Sequence, residues 1–398
     1  MKRDVLLIAH FCDDFDGKGN NRFNYLAELL SNSNFDVELV TSCFSHNKKK
    51  RRCKLVENLN YKVTFISEPG YAKNVSFKRF YSHYITGRNL KKYLAGRKIP
   101  DVVYCAVPSL DVASVAAKYA KKNNIKFVID IQDLWPEAFK MVFNIPVIGN
   151  ALFYPMQKKA DYIYSAADEI IAVSQTYSAR GLIPNKKREK AHSVFLGTEL
   201  AYFDRLAEEN KILDKPKNEI WLAYAGTLGH SYDLTTVIDA LKIIKDIGIT
   251  NIKFIIMGDG PLKQKFEEYG KSKLINAVFT GKLSYGEMVG ILTACDIAVN
   301  PISKGSMGSI INKHGDYAAA SLPVINTQEC IEYRDLVDEY QMGLNCENSN
   351  PQELAKKLII IYKNKELRRR MAINSRKLAI NKFDRKKTYK KIVELISR

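Results

Sequence analysis

Glycines and serines in Gly305-Ser306-Met307-Gly308-Ser309 run into a helical pattern that carries Asn312, Lys313 and Asp316 and closes before Leu322-Pro323-Val324. Such a junction holds anions, because unpaired amides and the positive end of a helix dipole face the same way. Here the amides would be those of Gly308, Ser309 and Ile310. Lys313 adds a cation suited to a phosphate, and the Asp316 carboxylate can accept from a pair of sugar hydroxyls. The stretch reads as a nucleotide-sugar site. The plain alternative for Lys313 is a solvated helix surface.

Two other places hold residues able to do chemistry. Asp133, in Gln132-Asp133-Leu134-Trp135-Pro136-Glu137, follows the apolar run from Phe127 to Ile131. A carboxylate at the carboxyl end of a buried strand stands where open α/β sheets bind ligands. It reads equally as the N-cap of a helix entered through Trp135-Pro136. Gly17 and Gly19, after the first apolar run, would let the backbone approach a ligand closely, or would merely turn a strand into a helix. Asp14-Phe15-Asp16 has the spacing of a metal motif. Its place in the first loop favours turn and capping roles, so no metal is expected.

Strands must deliver these residues, and short apolar runs supply them. Val5 to Ala9, Val37 to Val40, Val102 to Val107, Phe127 to Ile131 and Ile170 to Val173 form one series. In a second series Trp221 to Ala225 breaks into Gly226-Thr227-Leu228-Gly229, and Phe254 to Met257 into Gly258-Asp259-Gly260-Pro261. Val278-Phe279 then leads to Gly281-Lys282-Leu283, and Ile297 to Val299 runs into the Gly305 stretch. Strand, glycine-bearing loop and helix in alternation predict an α/β chain with two Rossmann-like, doubly wound domains. The charged stretch from Ala201 to Lys217 lacks periodicity and marks the linker. The expected domains are therefore residues 1–200 and 201–379. A basic amphipathic helix from Phe383 to Ile396 closes the chain, with residues 380–398 packing back on the first domain.

At 398 residues, 46% of them hydrophobic, the chain can bury two cores of near-equal size. Its seven cysteines are scattered, with no close Cys-x-x-Cys pair, which suits a reducing compartment and neither a disulfide framework nor a zinc site. No apolar stretch reaches the roughly 18 residues of a membrane-spanning helix, and the first run is too short for a signal peptide. The expected place is cytoplasmic, attached at most to the inner face of the cell membrane. A net charge of +19 biases the protein towards polyanions. Lys48 to Arg52 is a solvated loop or part of that bias. From Phe77 to Arg97 cations alternate with aromatics along a helical pattern, and from Phe139 to Met156 the chain is unusually apolar before Lys158 and Lys159. Together they suit an anionic membrane surface. No recognition-module signature accompanies them, so nucleic acid is not the expected partner.

Taken together, Gly258-Asp259-Gly260-Pro261, the Val278 to Gly281 strand end, Cys295 to Pro301, Asn312-Lys313 through Asp316-Tyr317 to Pro323-Val324-Ile325, and Asp133 to Glu137 resemble the family 4 glycosyltransferases of the GT-B fold. The likeness is strongest to those building bacterial capsule and O-antigen polysaccharide, and it spans nearly the whole chain. It implies two Rossmann-like domains facing a central cleft, a nucleotide-sugar donor on the second, a saccharide or lipid-linked saccharide acceptor on the first, retention of configuration and no required cofactor. A pair of glutamates eight positions apart marks the family's donor site. Here those positions are Gly308 and Asp316, the latter implied to hold the ribose. The family's diphosphate-binding Arg and Lys fall on Thr227 and Tyr232, so Lys313, Lys304, Lys282 or Arg22 must supply the charge. Gly226, Thr227, Gly258, Asp259 and Gly260 would line the diphosphate, Lys282 and Leu283 the base, and Asp133 would serve the acceptor as base or positioning group. The missing groups leave open a weakened or inactive homologue acting as a binding partner. A nucleotide-sugar epimerase on the same fold is a second alternative.

Overall fold

The computed structural model describes residues 2–15, 21–52, 58–74, 76–139, 148–306 and 309–398. The chain divides into two units, Met1–Val194 with Tyr389–Arg398, and Phe195–Thr388.

The first unit is built on β1 (Arg3–Ile8), β2 (Phe35–Ser42), a small antiparallel pair of β3 (Phe44–Ser45) and β4 (Lys50–Arg51), then β5 (Lys62–Ile66), β6 (Val102–Val107), β7 (Lys126–Ile131), β8 (Glu169–Ala172) and β9 (His192–Ser193). Seven of these make one sheet in the order β5-β2-β1-β6-β7-β8-β9, parallel throughout. Parallel sheets carry cover on both faces, which is why the strands read as unbroken apolar runs. Leu6, Leu7, Val103, Val128 and Ile129 are fully buried. Each such side chain stabilises the fold by about 1.5–3 kcal/mol. The helices are α1 (Arg22–Asn32), α2 (Phe77–Gly96), α3 (Leu110–Lys122), α4 (Ile148–Ala166) and α5 (Gln175–Leu182).

The second unit repeats the plan with β10 (Ile220–Ala225), β11 (Ile252–Met257), β12 (Ala277–Gly281), β13 (Ile297–Asn300), β14 (Val324–Asn326) and β15 (Gly343–Asn345). Their order is β12-β11-β10-β13-β14-β15, again parallel. Its helices are α6 (Leu200–Glu209), α7 (Leu234–Asp246), α8 (Lys263–Ser272), α9 (Tyr285–Ala294), α10 (Asn312–Ala319), α11 (Ile331–Glu339), α12 (Pro351–Lys363) and α13 (Lys365–Leu378). Strand order reverses between β1 and β6 and between β10 and β13. In sheets of this kind the crevice for a ligand opens at that reversal, beyond the carboxyl ends.

Two expectations are corrected. The stretch taken as a linker begins with α6, whose Leu200 and Phe203 are buried in the second unit's core, so the first part of the supposed linker is packed helix. The single helix expected from Phe383 to Ile396 is broken into a π turn (Ala379–Phe383), α14 (Arg385–Thr388) and α15 (Lys390–Ser397). Asp384 is extended because its neighbours bond sideways: Thr198 N–H donates to the Phe383 carbonyl at 2.8 Å, and Arg385 N–H to the Thr198 carbonyl at 3.2 Å. Only α15 belongs to the first unit, where Ile392, Leu395 and Ile396 join the core.

Candidate functional site

The ends of β10, β11 and β12 are laced by backbone. Gly226 N–H donates to the Met257 carbonyl and Gly258 N–H to the Gly281 carbonyl, both at 2.9 Å. Gly226 and Gly258 have φ of +147° and +155°, and a Cβ on Gly258 would lie 1.8 Å from the Gly226 carbonyl oxygen. No other residue type fits there, so the glycines let three strand ends converge on one floor. Above it stands α10. Ala225 N–H donates to the Tyr317 hydroxyl at 2.9 Å, which fixes the helix to β10. The amide of Ile311, just before the helix, donates to His314 Nδ1 at 3.2 Å. His314 in turn stacks on Tyr333, ring centroids 3.5 Å apart, and lies 3.1 Å from Asn300 Nδ2. Burial, with Lys313 beside it, pushes the His314 imidazole well below its ordinary value, so this anchor is neutral.

Between floor and helix lies a cavity of about 390 Å³, lined among others by Gly226, Thr227, Tyr232, Gly258, Lys313 and Asp316. Lys313 is 7% exposed. Its Nζ lies 4.1 Å from the ring centroids of both Tyr224 and Tyr232, and no hydrogen-bond partner for it exists among the described residues. Burial pushes this amine well below its ordinary value. Stacked tyrosines stabilise a cation by about 0.5–2 kcal/mol each. They do not replace an acceptor. The Asp316 carboxylate, 8% exposed, accepts at Oδ1 from the Tyr285 hydroxyl at 2.8 Å and from Thr198 Oγ1 at 3.1 Å. Burial and the charge of Asp316 raise the Tyr285 phenol well above its ordinary value, which keeps it a donor.

Most of the residues expected around the donor meet here, and some do not. Gly226, Thr227, Gly258, Lys282, Leu283, Asn312, Lys313 and Asp316 line the cavity. The solvated-surface alternative for Lys313 is overturned by its burial under the two tyrosines. Ser309 and Ile310 are buried but stand behind the wall that Ile311 and Asn312 form, and the Ser309 carbonyl accepts from Gln328 Nε2 at 2.8 Å. Asp259 and Gly260 are not in the wall. They shape the next turn, Asp259 Oδ1 accepting from Gly260 N–H at 2.7 Å while its carbonyl accepts from Leu228 N–H at 2.9 Å. Arg22 cannot lend its charge, because it is buried in the first unit in a two-pronged pair with Asp130 at 2.9 and 3.1 Å. Gly17, Gly19 and Gly308 lie outside the described residues, as does Asp16. Asp14 pairs with Lys48 at 2.5 Å and Arg52 at 3.0 Å. Burial opposes the Asp14 charge, and these two cations outweigh it, so its carboxyl is lowered. The tyrosine slot was legible only as a loss, a Tyr where the family has Lys.

In the first unit Asp133 is half-buried. It accepts from Leu134 N–H at 2.9 Å and Trp135 Nε1 at 3.3 Å, and burial raises its carboxyl above the usual range. Near it lies a cluster that the sequence reading missed. His10, past β1, has Nδ1 2.5 Å from Ser109 Oγ and Nε2 2.8 Å from Glu68 Oε2. Burial opposes the Glu68 charge, but His10 with the hydroxyls of Ser42 and Ser82 holds its carboxyl at about 2. Ligand atoms of His10, Glu68 and His83 lie within 4.8 Å of one another. Both Glu68 oxygens are already taken by hydrogen bonds from Ser42, Ser82 and His10, an arrangement that anchors a carboxylate within the protein. The sequence signal was partial: His10 and Glu68 each stand two residues past a strand, whereas His83 lies within α2.

Residues 205–378 match the model of the glycosyl transferases group 1 family. An uncharacterized glycosyltransferase of Methanocaldococcus jannaschii is 26% identical over 242 residues, 58% of this chain, which spans only 59% of that relative's length. A sucrose-phosphate synthase from Thermosynechococcus elongatus has a TM-score of 0.75 at 14% identity, covering 100% of this chain and 98% of its own. The Anabaena HepE protein in complex with UDP gives 0.71 at 14%, with 99% of each chain covered. The fold is GT-B. The match to the glycosyl transferases group 1 model falls within the second unit.

Proposed function

We propose that this chain is a working glycosyltransferase. It takes a nucleoside-diphosphate sugar, UDP favoured, at the cavity of the second unit, and passes the sugar with retention to a saccharide or lipid-linked saccharide of the kind used in surface polysaccharides. One observation carries the reading: a buried lysine with no acceptor among the described residues and, one turn along the same helix α10, an anchored carboxylate line one cavity. Lys313 meets the diphosphate and opposes the charge that builds on it as the bond to the anomeric carbon breaks, a term worth several kcal/mol. This supplies from α10 what the family takes from an Arg and a Lys after β10, and no metal or other cofactor is required. Asp316 accepts from the ribose. The acceptor hydroxyl forms the new bond on the face the diphosphate leaves, its proton going to Asp133 or to the departing diphosphate. The UDP held by the Anabaena relative supports the choice of nucleotide.

The working place we propose is the inner membrane face. Phe77, Tyr81 and Tyr84, then Arg88, Lys91 and Lys92, follow one exposed stripe of α2. Phe80 meets Phe139 at 5.6 Å, and exposed Leu152 and Tyr154 on α4 extend the apolar end. Residues 140–147 of the apolar segment lie outside the described residues. No described helix is long and apolar enough to cross a membrane.

The test is a product assay with UDP- and GDP-sugars and lipid-linked saccharides. Turnover that disappears in Asp316→Ala is expected. Absence of turnover with the whole panel, alongside retained UDP binding, would favour the inactive homologue.

A further inference from the structure

We infer that the first unit holds a site for an acidic group of the acceptor, centred on Arg79. The inference rests on the glycosyltransferase reading, and adds to it the charge class of the acceptor.

Arg79 stands in the first turn of α2, where the Ser76 hydroxyl accepts from its amide at 3.3 Å. The residue is 9% exposed, and its guanidinium packs against three rings, with centroids at 4.7 Å for Trp135, 5.6 Å for Tyr71 and 5.7 Å for Phe11. Nη1 donates to the Asn74 carbonyl at 2.8 Å, while Nε is buried without a hydrogen-bond partner among the described residues. No carboxylate among the described residues forms an ion pair with it. Glu68 is occupied by His10, Ser42 and Ser82, and Asp133 is turned to Leu134 and Trp135. Burying a charge without a counter-ion costs several kcal/mol. Ring contacts offset only part of that.

Other cationic or protonatable groups converge on the same point. Lys49 Nζ lies 4.8 Å over the Tyr71 ring and 3.3 Å from His46 Nδ1. His83 stacks on Trp135 at 5.7 Å, and its buried Nε2 has no hydrogen-bond partner among the described residues. Burial, then Lys49, Arg79 and His10, hold the His46 imidazole down at about 4, and burial with the same neighbours pushes His83 well below its ordinary value. Of these groups Arg79 and Lys49 carry the charge, and Asp133 and Glu68 act on the Arg79 charge through space without pairing with it. The place is where a ligand is expected, at the β1/β6 reversal and the positive end of a 20-residue helix. Phe11, His46, Lys49 and Asp133 are each partly exposed, which leaves an approach. An oxyanion there would pair with Arg79 and take the unpartnered Nε–H.

A phosphate ester and a sugar carboxylate share this chemistry, and the test separates them. The intact protein, with UDP saturating the donor cavity, is titrated with glucose 1-phosphate, glucuronate, glucose and inorganic phosphate by calorimetry. His46 is followed by NMR. An acidic sugar is expected to bind about 10- to 100-fold more tightly than glucose, the range for a charge-assisted contact. Which acid prevails names the source. His46 should titrate higher in the complex. Arg79→Gln should abolish the preference with UDP binding retained, and Arg79→Lys should keep part of it. Equal binding of glucose and both acids, inorganic phosphate binding as tightly as glucose 1-phosphate, or an unmoved His46 would overturn the inference. If Arg79→Gln does not fold, Arg79→Lys and the His46 titration decide. Failure to bind UDP would instead count against the donor site, and the Arg79 dependence of anion binding would still be read.

Discussion

Lys313 is the residue on which the proposed donor chemistry turns, and its burial makes that chemistry pH-dependent. In the empty protein burial holds its amine well below the ordinary 10.5. The unfolded chain keeps the proton more firmly, so stability rises with pH between the folded value and 10.5. A diphosphate reverses the local preference by raising the amine's pKa. Binding between the empty and bound values therefore takes up a proton, and affinity falls as pH rises through that window. Calorimetry in buffers of different ionisation heat should show uptake that vanishes in Lys313→Met; pH-independent binding with no uptake would refute it. That Lys313 and Asp316 line one cavity was legible in the sequence because both follow a glycine-rich loop on one helical stretch. What sequence could not show is that Tyr224 and Tyr232 close around the amine, since that depends on β10, the loop after it and α10 meeting in space.

At the scale of elements, convergence of three strand ends at Gly226, Gly258 and Gly281 makes the cavity possible. Gly258→Ala should cost about 3 kcal/mol or more, because a Cβ 1.8 Å from a carbonyl oxygen forces the β10 and β11 ends apart. Denaturant unfolding measures this, and a loss under 1 kcal/mol, roughly an ordinary surface effect, would contradict the packing described. Strands were legible because parallel strands buried on both faces are apolar without interruption, and the glycines after them mark where each ends. The linker and closing helix were misread for the opposite reason. Residues 197–198 and 383–385 bond to each other across a long sequence separation, and no local pattern reports that.

Across the whole molecule the net charge is +19, and Arg88, Lys91 and Lys92 place part of the basic excess on the exposed stripe of α2. Arg79 is removed from that stripe by burial, so the membrane test falls on Lys78, Arg88, Lys91 and Lys92. Each cation near an anionic surface contributes about 1 kcal/mol, so losing the four lowers partition into anionic vesicles by roughly three orders of magnitude at low salt, and changing them to Glu should lower it by at least that much. Sedimentation with vesicles reads this out, and unchanged binding would remove the membrane proposal. The central claim is narrower: the cavity of the second unit is a diphosphate site served by Lys313. Its most direct test is a UDP titration of the wild-type protein and Lys313→Met. The account predicts saturable binding that raises the melting temperature. Loss of one charge-assisted partner should weaken that binding about 10- to 100-fold in the variant. Absence of UDP binding, or equal affinity in a folded Lys313→Met, would contradict it.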